Sequence, residues 1–552
     1  MVFPSSFLVR SRSFASALTF SVTTMAIASI SWTSFPFVAP AHAAANPSEW
    51  QSQVIYLVMP DRFENGDTGN DRLGYESCFD PDSPTKFHGG DWEGLRQRID
   101  YLQDLGVTAV WTTPVLRQIG VINDSCGYHG YWADLTLADD EALEPKLGTE
   151  ADLRGLIQDL HRTEMKFILD QVVNHVGYDA RLVQQRPQWF NPSIPACESI
   201  GSPEVFCPLA GLPDIDFRNP DAVDYITRHS LSWLRRFPVD GIRMDTFKHV
   251  PQSYFRNVWI PLVNQIDPQL FTVGELLDAE SLDRIRDVVD TGFDSAFNFP
   301  LQSAFVEAYA KEGSVDAIAT IMDTTWTQFG DRALMLTNLV DNHDMPRFVN
   351  QPGFGVSEDE IRRRYHLALG TLLTLPGIPQ LYYGNEIGLY GGADPDNRRD
   401  MPDWAWTNSG REDVSGEDAS IALADPDATF DYVQRLIELR KDNPALHSGY
   451  YAELWRQNGA SNPNVYAFFR GLGENRVVVV VNNSDEASGE LAVPIQINTS
   501  LEPGDRAALQ NGVILTNQLT TEAPETVRID NETLHISMPP KSLGIYQIST
   551  DP

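Results

Sequence analysis

Four short strings combine carboxylates with arginine or histidine where strand-like runs end. An unpaired charge in a buried strand is costly, so each charge in these runs is expected to have a partner. Arg243 and Asp245 stand two positions apart and would share one strand face, where the arginine can hold Asp245 ionised. The strings are DQVVNH (170–175), VDGIRMDTFKHV (239–250), GELL (274–277) and DNHD (341–344).

Three of these carboxylates, Asp245, Glu275 and Asp344, are the groups that cleavage of a glycosidic bond requires. One acid protonates the leaving oxygen, and a second attacks the anomeric carbon or activates water. A third can stabilise the transition state and help keep the proton on the acid. His175 and His343 can bind sugar hydroxyls. Imidazole can also bind metals, but these two residues are not spaced as a helical metal pair. Each acid alone is equally well explained as a helix cap or a surface group; together they favour one pocket.

The elements that must position these residues alternate between strand-like and helix-like patterns. Amphipathic helices are indicated at 91–106, 149–162 and 221–237, where apolar residues recur every three or four positions. The alternation predicts an α/β fold, a (β/α)8 TIM barrel whose functional residues gather at the C-terminal strand ends. A doubly wound open sheet is the alternative. The predicted strands are 54–59, 107–113, 166–174, 239–245, 270–276, 293–299, 334–342 and 378–384.

Two stretches depart from this rhythm. Residues 177–212 contain Pro, Cys and Gly and predict a subdomain inserted after the third strand of a barrel spanning 44–445. After the helical run 430–446 the chain changes to short alternating segments, which predict a C-terminal antiparallel β-sandwich over 446–552.

The first 43 residues have the build of a secretory signal peptide. Arg10 and Arg12 precede an uncharged stretch, and Ala41-His42-Ala43 is a small-x-small cleavage site. A retained membrane anchor is the alternative. We expect a secreted protein, periplasmic or extracellular, with no membrane association after cleavage.

Charge and cysteine content restrict the partners and the compartment. A net charge of −35 repels nucleic acid and anionic membranes, so a neutral or cationic partner is expected. A monomer is the expected state. Four cysteines allow three pairings, and their positions favour Cys78 with Cys126 and Cys197 with Cys207. Free thiols are the alternative.

The four strings, in this order, resemble the signature regions of glycoside hydrolase family 13, the α-amylase family, and LPDID (212–216) resembles its fifth region. The resemblance covers most of residues 50–440. It implies that Asp245 is the nucleophile, Glu275 the general acid/base and Asp344 the transition-state stabiliser. The reaction would be retaining, through a covalent glycosyl-enzyme.

Loops after the second, fourth and eighth strands resemble the family's substrate-binding segments. The first would stack an aromatic ring on the sugar at the cleavage site, and the second would place a lysine on the leaving-group side. The third would hold a sugar further toward the non-reducing end. The residues so implied are Tyr131 and Trp132, Lys248 and His249, and Asp394 and Arg398.

Calcium is the cofactor that the resemblance implies. It prefers clustered oxygen ligands, and the Asp/Asn-rich stretch 61–74 with HGGDW (88–92) resembles a calcium loop of some family members. A solvated polar turn is the alternative. The implied ligands are Asn65, Asp67, Asn70, Asp71, Gly89 and Asp91 at one site, and Asn174, Asp214 and the carbonyl of His249 at a second.

These features predict a secreted α-amylase, an endo-hydrolase of α-1,4-glucosidic bonds in starch, glycogen and maltooligosaccharides. A transglycosylating or maltooligosaccharide-forming relative would use the same residues and is the nearest alternative. The length after Pro444 argues against a cyclodextrin glucanotransferase, which normally adds further domains. A non-catalytic glucan-binding barrel is a remote alternative, because it would not need all three acids.

Overall fold

Eight short buried strands, interleaved with helices, form one parallel sheet that closes on itself. The computed structural model describes residues 45–138, 142–277, 281–456, 464–495, 500–519 and 522–548. Within them the sheet order is β6-β5-β4-β3-β2-β1-β8-β7, and a bridge between Phe297 and Thr337 joins the two ends. The predicted barrel is therefore confirmed and the open sheet excluded. Its strands are β1 (Ile55–Val58), β2 (Ala109–Thr112), β3 (Lys166–Gln171), β4 (Gly241–Met244), β5 (Phe271–Gly274), β6 (Ser295–Ala296), β7 (Thr337–Leu339) and β8 (Ile378–Tyr382).

Local signals define the helices between these strands. Thr149 and Asp152 form a reciprocal capping box at the start of Glu150–Arg162. The single helix predicted over 91–106 is two helices, because Arg98 leaves the helical conformation at φ −106° and ψ 13°. In the described residues the α-helices are Pro47–Trp50, Trp92–Gln97, Ile99–Leu105, Glu150–Arg162, Arg181–Gln185, Pro203–Phe206, Pro220–Arg236, Gln252–Tyr254, Ile260–Ile266, Leu282–Thr291, Phe299–Phe305, Asp316–Phe329, Glu358–Thr374, Asn408–Glu412, Pro426–Asp442, Pro444–Ser448 and Pro503–Ala508.

The insertion after β3 returns to the barrel beside the strand that it left. His175 and Asp214 form an antiparallel bridge, and the N–H of Ile215 donates to the carbonyl of Asn174 at 2.7 Å. The insertion thus begins and ends at the same point on the barrel rim, which brings Asp214 next to Asn174.

The C-terminal region is one antiparallel sheet of eight strands in the order β12-β15-β14-β13-β16-β11-β10-β9. Its end strands β12 and β9 contact each other, so the sheet curls around a second core. Alternate residues of the buried run Val477–Val481 face that core and the barrel core; a strand covered on both faces explains five consecutive valines. The strands are β9 (Tyr450–Arg456), β10 (Val465–Leu472), β11 (Asn475–Asn482), β12 (Leu491–Pro494), β13 (Ile514–Asn517), β14 (Thr526–Asp530), β15 (Thr533–Ile536) and β16 (Ser542–Ile548).

All four cysteines are paired. Cys78 bonds to Cys126 and Cys197 to Cys207, which is the pairing that the sequence favours. The predicted signal peptide, residues 1–43, lies outside the described residues. Among the residues that are described, none of the helices combines the length and apolar character needed to cross a bilayer.

Candidate active site

Asp245, Glu275 and Asp344 all line one cavity of about 400 Å³. They follow β4, β5 and β7, so closure of the barrel brings together acids that are far apart in sequence. Asp245 and Glu275 are only 5% and 4% exposed, and the side chain of Asp344 is 25% exposed. The cavity therefore presents two nearly desolvated carboxylates beside a third that is three-quarters buried, and charges in such surroundings affect one another strongly.

One guanidinium connects the carboxylates of three neighbouring strands. Nη1 of Arg243 donates to Oδ1 of Asp245 at 2.7 Å and to Oδ1 of Asp170 at 2.9 Å. Its Nη2 lies 2.5 Å from Oε1 of Glu275. Burial lowers the pKa of Arg243, but the acids around it outweigh burial, so the guanidinium stays charged. The planar fork of arginine suits this arrangement, because one side chain reaches several acceptors in fixed directions.

The turn after Asp245 holds Glu275 from the opposite side. Thr246 has a left-handed backbone with φ +51°, which is rare for a β-branched residue. In this conformation its N–H donates to Oε2 of Glu275 at 2.9 Å. The N–H of Phe247 donates to the carbonyl of Glu275 at 2.8 Å. Both the backbone and the carboxylate of Glu275 are thereby fixed to the end of β4.

The environment separates the acidities of Glu275 and Asp344. Burial raises the pKa of Glu275 to about 8, and the charges of Asp245 and Asp344 act in the same direction, against Arg243 and the Thr246 N–H. Burial alone would raise the pKa of Asp344, but His343, Arg398 and Arg243 outweigh it and leave the pKa below its ordinary value. At neutral pH the site therefore holds a protonated Glu275 beside an ionised Asp344, one proton donor and one negative charge.

Asp170 is a central residue of the site for which sequence reasoning assigned no role. Its Oδ2 accepts hydrogen bonds from Nε1 of Trp111 at 3.1 Å and from Oη of Tyr131 at 2.9 Å, in addition to those from Arg243. Burial raises the pKa of Asp170 to about 7. An aspartate directly after the apolar run 167–169 of a buried strand was the available sign that this residue needs a cationic partner.

Comparison with known proteins agrees with this geometry. The model of the α-amylase catalytic domain matches residues 57–192 and 205–449. The chain belongs to glycoside hydrolase family 13, the α-amylase family. The family model matches more than half of the chain, which establishes its membership of family 13.

Individual family 13 relatives differ in activity. A cyclomaltodextrin glucanotransferase of Bacillus licheniformis is 30% identical over 87% of this chain and 65% of its own length. An Anoxybacillus α-amylase structure has a TM-score of 0.75 at 28% identity, covering 91% of this chain and 99% of that one. A cyclomaltodextrin glucanotransferase with a three-domain arrangement has a TM-score of 0.73 at 25% identity, covering 90% and 99%. The chain spans 38% and 65% of the length of two curated relatives that it matches.

Most of the substrate-binding positions that the sequence predicts lie around the cavity of this family 13 enzyme. Nζ of Lys248 donates to the carbonyl of Leu277 at 2.9 Å. Arg398 pairs with Asp394 at 3.0 Å and with Asp344 at 3.3 Å, so it connects the loop after β8 to one of the three acids of the cavity. The predicted residues that line the cavity are Tyr131, Trp132, His175, Lys248, His249, Asp394 and Arg398.

His343 and Arg243 lie behind the cavity wall instead. Both are fully buried. Nε2 of His343 lies 2.7 Å from Oη of Tyr131, and the two rings stack at 5.3 Å with an angle of 9°. Burial lowers the pKa of His343 to about 4, so its ring is neutral at ordinary pH. Its contacts support the tyrosine ring that faces the cavity.

The first predicted calcium site has a donor set that fits the ion. Oδ1 of Asn65 and of Asn70 are buried and accept no hydrogen bond from the described residues, and unsatisfied amide oxygens are suitable calcium ligands. A Cβ at Gly89 would lie 2.5 Å from Nδ2 of Asn65 and 2.7 Å from Oδ1 of Asp71, so only glycine leaves this space open.

The carboxylate of Asp91 accepts four hydrogen bonds, from the N–H groups of residues 66, 67 and 94 and from Asn70. Asp67 belongs to the same loop.

The second predicted site lies where the insertion joins the barrel. Oδ1 of Asn174 is buried and accepts no hydrogen bond from the described part of the chain. Asp214 lies beside it, accepts from Nδ2 of Asn191 at 2.7 Å, and burial raises its pKa to about 8. Nδ1 of His249 lies 2.7 Å from the carbonyl oxygen of Glu204 in the insertion. Asn191 is a neighbour that sequence reasoning missed.

A separate acidic group, Glu312, Glu360 and Asp485, has carboxylate oxygens within 4.8 Å of one another. It belongs to neither predicted calcium site. Arg364 pairs with both glutamates, and Lys541 pairs with Asp485 at 3.0 Å. These cations neutralise much of its charge, which indicates an ion-pair network between the barrel and the C-terminal sheet.

Proposed function

We propose that this family 13 enzyme cleaves α-1,4-glucosidic bonds in starch-like glucans with retention of configuration. The observation that carries the proposal is the shared guanidinium of Arg243, which binds Asp245 and Glu275 in one cavity. This guanidinium joins the proposed nucleophile to an acid whose pKa is about 8. Retaining chemistry needs this pair, one group to attack and one to donate a proton.

The proposed reaction has two steps. Glu275 donates its proton to the glycosidic oxygen as Asp245 attacks the anomeric carbon, so the C–O bond breaks and a glycosyl–aspartate bond forms. Because Oδ1 of Asp245 is bound by Arg243, the attack is assigned to Oδ2. The Glu275 carboxylate then takes a proton from water, whose oxygen displaces Asp245 from the sugar. Asp344 stabilises positive charge on the sugar in both transition states.

The remaining residues bind the glucan and position the loops. Tyr131 and Trp132 offer aromatic surface to the sugar at the cleavage point, and Lys248 faces the leaving-group side. Asp394 and Arg398 hold a sugar toward the non-reducing end, and His175 and His249 complete the polar wall of the cavity. Calcium at the two predicted sites would cross-link loops through oxygen ligands and supply rigidity.

Transglycosylation is a second candidate, and the relatives support it at least as well as hydrolysis. The 30% identical curated relative is a cyclomaltodextrin glucanotransferase. A three-domain enzyme with that name is covered over 99% of its length, so the length after Pro444 does not argue against this activity. Hydrolysis is supported by the α-amylase structure that is covered equally well. Water and a sugar acceptor would compete for the same glycosyl-enzyme.

Time-resolved product analysis on amylose and on maltotriose tests the proposal. Early mixed linear oligosaccharides support endo-hydrolysis, whereas cyclic or lengthened products support transglycosylation. A single product released from chain ends would contradict endo-cleavage, and an inert purified protein would contradict the whole proposal. In Asp245→Asn we expect a loss of at least ~10³-fold in kcat with the fold retained, and a lower melting temperature because Arg243 loses a buried partner.

We also infer that the protein is exported, because disulfides persist in oxidising compartments outside the cytosol. The same proposal includes removal of residues 1–43. It also includes a barrel over 44–445 with an insertion at 177–212, and a C-terminal domain over 446–552. Mass spectrometry of the exported protein would locate its N-terminus, and light scattering would test the expected monomer.

A further inference from the structure

Tyr75 presents an exposed aromatic ring outside the catalytic cavity. The residue is 47% exposed, although large aromatic side chains normally bury most of their surface. Leu73, two positions earlier, is 50% exposed, and Val121 is 38% exposed. All three residues lie on loops that follow β1 and β2, at the end of the barrel where the cavity opens.

The position of the Tyr75 ring is defined by its support. A Cβ at Gly120 would lie 3.2 Å from Cδ1 and 3.3 Å from Cε1 of Tyr75, so the glycine backbone packs against one side of the ring. The disulfide between Cys78 and Cys126 joins the segment that carries Tyr75 to the segment that carries Gly120. The N–H of Cys78 also donates to the carbonyl of Tyr75 at 3.0 Å. A covalent link and a close backbone contact thus hold an apolar ring toward solvent.

The same segment is continuous with the wall of the catalytic cavity. The N–H of Ile119 donates to the carbonyl of Trp132 at 3.0 Å. The N–H of Trp132 donates to Oε1 of Gln118 at 2.7 Å. Since Trp132 lines the cavity, the residue before Gly120 is hydrogen-bonded directly to the active-site rim.

We propose that Tyr75, with Leu73 and Val121, is an accessory platform that binds a glucose unit of a long α-glucan whose reacting bond lies in the cavity. The inference rests on the proposed function. A flat aromatic ring matches the apolar face of a pyranose, and a polymer extends well beyond a cavity of about 400 Å³. A neutral ligand also suits a chain with a net charge of −35.

Substrate length provides the first test. In Tyr75→Ala we expect kcat/KM on amylose to fall about threefold to tenfold through KM, with kcat/KM on a short chromogenic maltoside unchanged. Tyr75→Trp should retain both activities. Gly120→Ala should have a smaller effect in the same direction, because a Cβ 3.2 Å from the ring shifts it by only a few tenths of an ångström. Ile514→Ala is the matched control, since Ile514 is 46% exposed but belongs to the C-terminal sheet.

Binding provides a second, independent test. In a Glu275→Gln background, calorimetry with maltoheptaose should show weaker binding when Tyr75→Ala is added, and equal binding of maltose. If wild-type enzyme cleaves amylose but Tyr75→Ala leaves its KM unchanged, the platform is refuted. An equal loss on long and short substrates, or a large fall in melting temperature, would assign Tyr75 a structural role and also refute it. Failure of the wild type to cleave amylose would instead refute the proposed function.

Discussion

Arg243 donates a 2.7 Å hydrogen bond to Asp245, two positions further along the chain at the end of β4. The same guanidinium is paired with Asp170 and Glu275. The positions of the proposed nucleophile and of the proposed acid therefore depend on one side chain. This coupling is the basis of the first two predictions.

Replacement of Arg243 by lysine tests the shared fork. A single ammonium keeps the charge but cannot bind three carboxylates in fixed directions, so we expect kcat to fall about 10²-fold or more. Removing one partner of a buried ion pair costs about 3–5 kcal/mol, and Arg243→Met should approach that loss of unfolding free energy. Steady-state kinetics and denaturant unfolding measure the two effects. Arg284→Lys is the control, because Arg284 pairs with Glu204 at the surface. Near-normal activity in Arg243→Lys would contradict the proposal that the arginine fork positions the acids.

The pH dependence of kcat/KM should report the acid. Glu275 has a raised pKa of about 8, so its proton is held through neutral pH and is lost as the pH rises through that value. We therefore expect kcat/KM on a neutral maltoside to decline above about pH 8. The measurement is a pH profile in buffers of constant ionic strength. An alkaline limb centred near the ordinary glutamate pKa would show that the pKa of the proton donor is not raised.

Calcium removal should lower stability. The proposed ion would bind the unsatisfied oxygens of Asn70 and Asn174 in the folded chain, and a ligand at a hundredfold excess over its Kd stabilises by about 2.7 kcal/mol. We expect a chelator to reduce the melting temperature and added Ca²⁺ to restore it. Asn70→Ala and Asn174→Ala should each weaken that response.

Asp485→Asn is the matched control for calcium, because Asp485 lies in an acidic group paired with Lys541. Its response to the chelator should equal that of the wild type. Identical melting curves in chelator and in excess Ca²⁺ would contradict both predicted sites, whereas a loss of response in Asp485→Asn alone would move the ion to that group.

The two disulfides should differ in their contribution to stability. They span 48 and 10 residues, and the chain-entropy model assigns about 4 kcal/mol to the longer loop and about 2.7 kcal/mol to the shorter. We expect Cys78→Ala with Cys126→Ala to destabilise more than Cys197→Ala with Cys207→Ala. Denaturant unfolding of the two double variants measures the difference, and the reverse order would show that strain or residual unfolded-state structure dominates.

Much of the fold follows from local patterns in the sequence. Alternating apolar runs and helical periodicity locate all eight barrel strands within a few residues, because strand burial and helix amphipathicity are properties of short segments. Local patterns were less informative where a tertiary contact intervenes. Arg98 interrupts the helix predicted over 91–106, and its guanidinium lies over Trp406, 4.7 Å from the ring. A contact with a residue so distant in sequence leaves no trace in helical periodicity.

The chemical types of the site residues are also present in the sequence, since each string places its acids at a strand end. The contacts that these residues make with one another cannot be read from the sequence. His343 supports Tyr131 from behind because their rings stack, although the two residues are 212 positions apart in the chain. The left-handed turn at Thr246, which directs an N–H to Glu275, contradicts the ordinary preference of a β-branched residue.

The sequence by itself therefore determined the kinds of elements, their order and the carboxylates available for chemistry. Strand order and register decided that Asp170, Asp245 and Glu275 meet at Arg243, and burial in the barrel decided the raised pKa of Glu275. The physical reason is that pKa values and contact distances depend on strand register and on exclusion of water, and both arise only when distant segments pack together.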